Sequence, residues 1–247
     1  MPGLTSPPFR PDPASPCLCG SGLNFAECCG STLENRQPPV GVTVQHDVLS
    51  DRQCSKLCAI GESSRKEWVG TVDSQTGEVG GMEKDSRVTR QVVLGKQQAV
   101  FNKLVNKLWL SVVEPERNVR IEWFEQPVLL NYVKGGHYAA HADAEYFDEQ
   151  QQLWQRQLDR DLSMLLYIND DFEGGGLKFS HFNFRYAPQV GDLVIFPSDH
   201  RYMHQAEKVT SGTRYCIVSW AAIEGSPRAN ADMPFNGIVP KRGWFGR

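Results

Sequence analysis

From Asn118 to Ala222 the chain is written in short runs of β-branched, aromatic and aliphatic residues, and this texture constrains the fold more than any other feature. The runs are Arg120–Tyr132, Leu162–Ile168, Leu177–Phe179, Leu193–Phe196 and Arg214–Ala221, with Gly- and Asp-rich turns between them. Runs punctuated in this way predict antiparallel strands in a sandwich or barrel with helices packed outside. The expected class is therefore mainly β with supporting helices. Upstream, Val40–Val44 reads as a short strand, and Leu49-Ser50-Asp51 can cap a helix reaching about Ile60, with Cys54, Leu57 and Cys58 on one face. Gln97–Val113 carries Val100, Phe101, Leu104, Val105, Leu108 and Trp109 at helical spacing, the strongest helical pattern in the chain. Ser63–Asp85 offers only Trp68 and Val69 as a strand-like core, and Glu149–Arg160 is polar enough to be either a short helix or an ordered loop.

The seven cysteines are an odd number, and four of them, Cys17, Cys19, Cys28 and Cys29, fall within thirteen positions. Gly20-Ser21-Gly22 supplies a tight turn between the pairs, and four thiolates at this density suit tetrahedral Zn(II). Cys54, Cys58 and Cys216 lie apart and are expected to be core thiols. The fourteen residues Cys17–Gly30 resemble the small zinc motif at the C-terminus of the SecA translocation ATPase, with Cys29 where that family has His or Cys. The resemblance implies structural zinc and a docking role, because four protein ligands leave no open coordination position. Residues 1–16 are Pro-rich with no apolar run of signal-peptide length, so a disordered leader and a reducing, cytoplasmic location are expected. The motif and its linker occupy 17–37, and Pro38-Pro39 opens the next domain.

Lys and Arg total 26 against 29 Asp and Glu, a formal net charge of −3 that provides no basic footprint for nucleic acid. No apolar run reaches the length a membrane helix needs.

Within Tyr132–Asp143, His141 and Asp143 stand two apart, so on an extended strand both side chains would share a face. An imidazole and a carboxylate converging this way are two of three ligands of a facial metal triad. His204 can supply the third, with His200 as its rival; Asp199-His200-Arg201 reads as a hairpin tip. Arg214 opens a strand on which Arg214, Cys216, Val218 and Trp220 share one face, and a buried guanidinium there needs an anion, for which a carboxylate is the natural partner.

Several ordered elements together resemble the Fe(II)/2-oxoglutarate dioxygenases, and within them the prolyl 4-hydroxylase branch. They are the helix opening at Val48–Cys54, Asn131-Tyr132 with Gly135-Gly136, Tyr138 and His141-x-Asp143, the stretches Arg160–Asn169 and Phe172–Phe179, and Gly191–Ser198 followed by His204 and Arg214. The likeness runs from about Val40 to Ala222. It implies a double-stranded β-helix (jelly-roll) core within a catalytic domain at 38–224, helical support at 38–117, a barrel at 118–224 and a tail at 225–247. It also implies Fe(II) on His141, Asp143 and His204, and 2-oxoglutarate held by Arg214 and Tyr132. O2 would be consumed, ascorbate is a candidate reductant, and succinate and CO2 would accompany hydroxylation of a C–H bond. Halogenating relatives lack the carboxylate that Asp143 supplies, which argues for hydroxylation. The expected substrate is a prolyl residue of a protein docked with help from the zinc motif; the alternative is a small molecule or free amino acid. Tyr138, Tyr146 and Trp154 are the candidate substrate contacts.

Overall fold

The computed structural model describes residues 4–17, 19–31, 37–70 and 86–243. The central strands alternate with period two between two apolar environments. Leu129, Met164, Leu166, Leu193, Ile195 and Ile217 face one core, where they meet Cys54, Leu57, Phe101, Val105, Leu108 and Trp109 of the helices. Leu130, Tyr132, Leu165, Tyr167, Val194, Phe196, Cys216 and Val218 face the other, beside Leu177, Phe179 and Phe184. Strands buried on both faces read as nearly continuous apolar runs, which is why these segments stood out in the sequence.

The larger sheet runs in the order Thr43–Gln45, Leu193–Pro197, Leu162–Tyr167, Val209–Ile223, Val128–Val133, Arg90–Val92 and Lys66–Trp68. A second sheet, Phe184–Tyr186, Leu177–Phe179, His204–Ala206, His137–His141 and Arg87–Val88, closes over its inner face. The pairings within both sheets are antiparallel. The architecture is the jelly roll expected for this chain.

The first helix spans Asp51–Ser63, and the Gln53 side-chain carbonyl accepts the Ser50 backbone N–H at 3.0 Å. Gly61 faces the core, where an added Cβ would lie 2.9 Å from the Tyr215 ring. The second helix, Gln98–Leu108, passes through a π-helical turn at Trp109–Val113 and an α-helical turn at Glu114–Arg117, ending at Asn118 with φ 51°. It is thus longer than the expected Gln97–Val113, and Phe101, Trp109 and Val113 are all fully buried. Phe101→Ala is expected to cost about 3–5 kcal/mol, read from the urea unfolding midpoint at unchanged m-value.

Four expectations need correction. The leader is ordered from Leu4 on: Thr5 and Ser6 pair with Gln155 and Trp154, and Phe9 packs on Phe182, because an exposed strand edge offers backbone partners that composition does not show. The 38–117 segment is less purely helical than expected: the strand read at Val40–Val44 is observed at Thr43–Gln45, the strand-like core at Trp68 lies in Lys66–Trp68, and Arg87–Val88 and Arg90–Val92, which were not expected, also join the sheets. Glu149–Arg160 is neither helix nor plain loop, since Leu153–Arg156 pairs antiparallel with Glu145–Asp148. The tail is built in: Gly237–Ile238 pairs with Phe124–Glu125, and Arg228 bridges Asp161 and Glu122. Trp68 lies in the Lys66–Trp68 strand as expected, and the rest of that reading, from 71 to 85, lies outside the described residues.

Candidate active site

His141 ends one strand of the second sheet, His204 begins its neighbour, and the two are paired across the ladder. Asp143 lies just past the strand end, so the pleat alone does not orient it. The Ser198 carbonyl accepts the N–H groups of both Asp143 (3.1 Å) and Ala144 (3.0 Å), turning the carboxylate back toward the imidazoles. Its oxygens stand 3.5 Å from His141 Nε2 and 3.7 Å from His204 Nε2. Each ring's Nδ1 faces a main-chain carbonyl, Ala139 O at 2.8 Å and Tyr202 O at 3.1 Å, which assigns the proton to Nδ1 and leaves both Nε2 lone pairs in the site. The Ser163 hydroxyl donates to Asp143 at 2.6 Å, and Arg160 donates to the Asp143 main-chain carbonyl at 3.0 Å.

The electrostatics agree with this donor set. Burial, reinforced by His141, pushes His204 down to about 4 against the pull of Asp143, so its imidazole is neutral at physiological pH. Burial would by itself raise the Asp143 carboxyl, but His204, His141 and Arg160 outweigh it and hold it well below the ordinary carboxylate range. Two imidazoles and one carboxylate, with ligand atoms within 4.8 Å of one another, form a two-His, one-carboxylate set that fits Fe(II) and leaves positions open.

Arg214 is 1% exposed and pairs in register with Tyr132 on the adjacent strand. Its Nη2 donates to the Tyr167 hydroxyl at 3.1 Å, while Nε and Nη1 are buried without a hydrogen-bond partner among the described residues. A buried cation whose N–H groups are left over carries a desolvation cost that a bound carboxylate would offset. Arg214, Cys216, Val218 and Trp220 do share one face, and with Tyr132 they line a cavity of about 630 Å³ that also holds the triad. Burial pushes the Cys216 thiol up to about 12, which keeps it protonated. These residues fit 2-oxoglutarate beside the metal.

The remaining candidates divide. Tyr138 stacks on His141 with centroids 3.6 Å apart, and Tyr146 lines the cavity. Trp154 does not line it: its ring stacks on His200 and packs on Phe147. His200 is no hairpin tip. It is 4% exposed in a short 3-10 turn between the two sheets, its Nδ1 is 2.6 Å from the Glu145 carboxylate, and it is not part of the triad. Sequence reading missed Tyr167, Ser163 and Arg160 as supports. Tyr167 and Leu165 share the inner face of one strand, so period-two counting along Leu162–Tyr167 was the available signal.

The four sulfurs of Cys17, Cys19, Cys28 and Cys29 also lie within 4.8 Å of one another, with Cys19 and Cys28 3.2 Å apart. Gly20 and Gly22 adopt φ of +74° and +79° in the turn between them. This set suits tetrahedral zinc. Cys17 and Cys29 are buried and join the inner-face apolar cluster, so the motif is seated on the barrel.

The sequence model of the 2OG-Fe(II) oxygenase superfamily matches residues 127–222, which include the triad, Arg214 and Tyr132. This segment belongs to the 2OG-Fe(II) oxygenase superfamily. Upstream of the oxygenase segment, residues 15–31 match the SEC-C motif. A PKHD-type hydroxylase of Synechococcus sp. (strain JA-2-3B'a(2-13)) is 30% identical over 115 residues, 42% of this chain and 49% of the relative. A putative prolyl 4-hydroxylase of Acanthamoeba polyphaga mimivirus is 27% identical over 158 residues, 60% and 62% of the two chains. The chain thus spans about half to two thirds of the length of these relatives. In fold the oxygenase is similar to a prolyl hydroxylase from Trichoplax adhaerens, solved with a peptide fragment of the hypoxia inducible factor oxygen degradation domain. The TM-score is 0.55 at 16% identity, over 74% of this chain and 84% of the other. The viral collagen prolyl hydroxylase of Paramecium Bursaria Chlorella virus-1 gives a TM-score of 0.51 at 16% identity, over 74% and 97%. No helix among the described residues is long and apolar enough to cross a membrane.

Proposed function

We propose that this oxygenase hydroxylates a C–H bond of a prolyl residue in a protein, using Fe(II), 2-oxoglutarate and O2. The observation that carries the reading is the juxtaposition, in one cavity, of the three-ligand set and the partnerless N–H groups of Arg214. His141, Asp143 and His204 would hold the iron. Bound there, the metal supplies the Lewis acidity and redox chemistry needed to couple oxidation of the keto acid to C–H oxidation. The chain's own work is positional. Carbonyls of Ala139 and Tyr202 fix the two tautomers, Ser163 and the Ser198 carbonyl hold the carboxylate in place, and Arg214 with Tyr132 would anchor the far carboxylate of 2-oxoglutarate. Apolar walls from Leu165, Leu177 and Val218 limit stray water.

The prolyl relatives favour a peptide substrate over a free small molecule. Tyr138 and Tyr146 are the residues proposed to touch it. Among the described residues no two cysteines form a disulfide, which supports a reducing, cytoplasmic setting. We assign the SEC-C motif zinc and a role in docking the protein substrate; ascorbate would serve as reductant.

The test is incubation of the full chain with Fe(II), 2-oxoglutarate and proline-containing peptides, reading succinate and a +16 Da product. Succinate formation that survives His141→Ala would overturn the metal assignment. A Cys19→Ser, Cys28→Ser double variant is expected to lose one equivalent of zinc by elemental mass spectrometry while binding iron as before; loss of both metals would contradict two separate sites.

A further inference from the structure

Among the described residues, the charged groups lining the cavity include one cation, besides Arg214, that no carboxylate matches. They are Arg87, Arg160, Arg214, Asp143 and Glu145, beside the two histidine ligands. Arg160 is matched by both carboxylate oxygens of Glu125, at 2.5 and 2.8 Å. Glu145 is held by His200, and Asp143 belongs to the triad. Arg214 faces the cosubstrate position. Arg87 has no carboxylate partner among the described residues, and its Nε is buried with no hydrogen bond.

Arg87 is held in place nonetheless. Its strand pairs in register with Tyr138, its guanidinium lies 4.4 Å over the Tyr138 ring, and that ring stacks 3.6 Å from His141. Stacking on an aromatic face fixes a guanidinium yet leaves its in-plane N–H edge free to donate. Arg87 is therefore a preorganised anion receptor two ring layers from a metal ligand.

Resting on the hydroxylase reading above, we propose that Arg87 determines specificity by binding a carboxylate of the substrate. For an extended peptide at roughly 3.3–3.6 Å per residue, that carboxylate belongs to an Asp or Glu within about two positions of the oxidised residue. A free carboxylic acid of small size presents the same chemistry.

Binding is measured calorimetrically on the full chain loaded with Fe(II) and 2-oxoglutarate under nitrogen. The probes are N-acetyl-Ala-Pro-Asp-amide, its Asn and Lys counterparts, and free N-acetylproline. The Asp peptide is expected to bind about tenfold or more tighter than the Asn peptide, the Lys peptide weaker still. Arg87→Gln should bring the Asp and Asn affinities within about twofold, Arg87→Lys should keep most of the preference, and Arg87→Glu should reverse it toward Lys. Affinity for 2-oxoglutarate should not move in any variant, which also reports folding. If the peptides fail and N-acetylproline binds in an Arg87-dependent way, the anion site stands and the protein-substrate reading falls. Equal binding of Asp and Asn peptides, a preference that survives Arg87→Gln, or no binding of any anionic probe overturns the proposal. Loss of 2-oxoglutarate binding in the wild-type chain would instead strike the hydroxylase reading itself.

Discussion

Arg214→Met is expected to raise the KM for 2-oxoglutarate by about two to three orders of magnitude, because a buried charge-paired contact broken on one side costs roughly 3–5 kcal/mol. The side chain is 1% exposed, and Nε and Nη1 have no hydrogen-bond partner among the described residues, so the carboxylate of a bound keto acid would be an acceptor for both. The same substitution has the opposite sign on the empty protein. Methionine removes a buried cation whose desolvation is offset, among the described residues, by the Tyr167 hydroxyl, the flanking Tyr132 and Tyr167 rings and the neighbouring Cys216, none of them a full anion, so the cosubstrate-free chain should melt at an equal or higher temperature. Lower affinity with undiminished stability separates a binding role from a structural one. Arg214→Lys keeps the charge and loses the planar fork, and is expected to raise KM by about tenfold. Thermal denaturation without 2-oxoglutarate, beside succinate kinetics, checks both signs. A variant that melted far lower with KM unchanged would mean that Arg214 props up the barrel instead.

What could be read from the residues follows from what each element buries. Leu162–Tyr167 and Leu193–Pro197 were legible as strands because both faces are buried, and the second helix was legible from its apolar stripe. The hairpin Glu145–Arg156 was not, because side-chain amides and carboxylates support it: Tyr146 donates to Gln155, and Gln155 to Asp148 at 2.5 Å, with every strand residue half-buried. Thr5–Ser6 joins the same hairpin through backbone bonds, which composition cannot announce. At the site, His141, His204 and Arg214 sit at strand ends or on a face that parity defines, and Asp143 was legible from its spacing to His141 although the Ser198 carbonyl, not the pleat, turns it inward. Arg87 was not, because its place comes from register with Tyr138 across fifty residues of sequence. His200 misled in the other direction: Asp199 and Arg201 flank it as an exposed turn would, yet its ring is buried between Trp154 and Glu145.

Asp143→Ala is expected to reduce Fe(II)-dependent succinate formation by more than about 100-fold and to lower bound iron below stoichiometry, since it deletes the only anionic ligand of the set. Its carboxylate lies 3.5 Å and 3.7 Å from the two Nε2 atoms. Without it, two imidazoles face a divalent cation with no anion to balance it, in a site where burial already disfavours charge. A graded series separates ligand from support. Ser163→Ala removes the 2.6 Å hydrogen bond to the carboxylate but leaves the ligand, so iron affinity should fall about 10- to 100-fold, the range typical of outer hydrogen-bonding partners of metal ligands. His200→Ala removes a ring tied to Glu145 and leaves all three ligands, so its iron stoichiometry should match the wild type. Iron titration under nitrogen, followed by elemental analysis, orders the three variants. If His200→Ala lost iron as completely as Asp143→Ala, the third position of the set would have to pass to the histidine of the turn, and the tautomers fixed by Ala139 and Tyr202 would need another explanation.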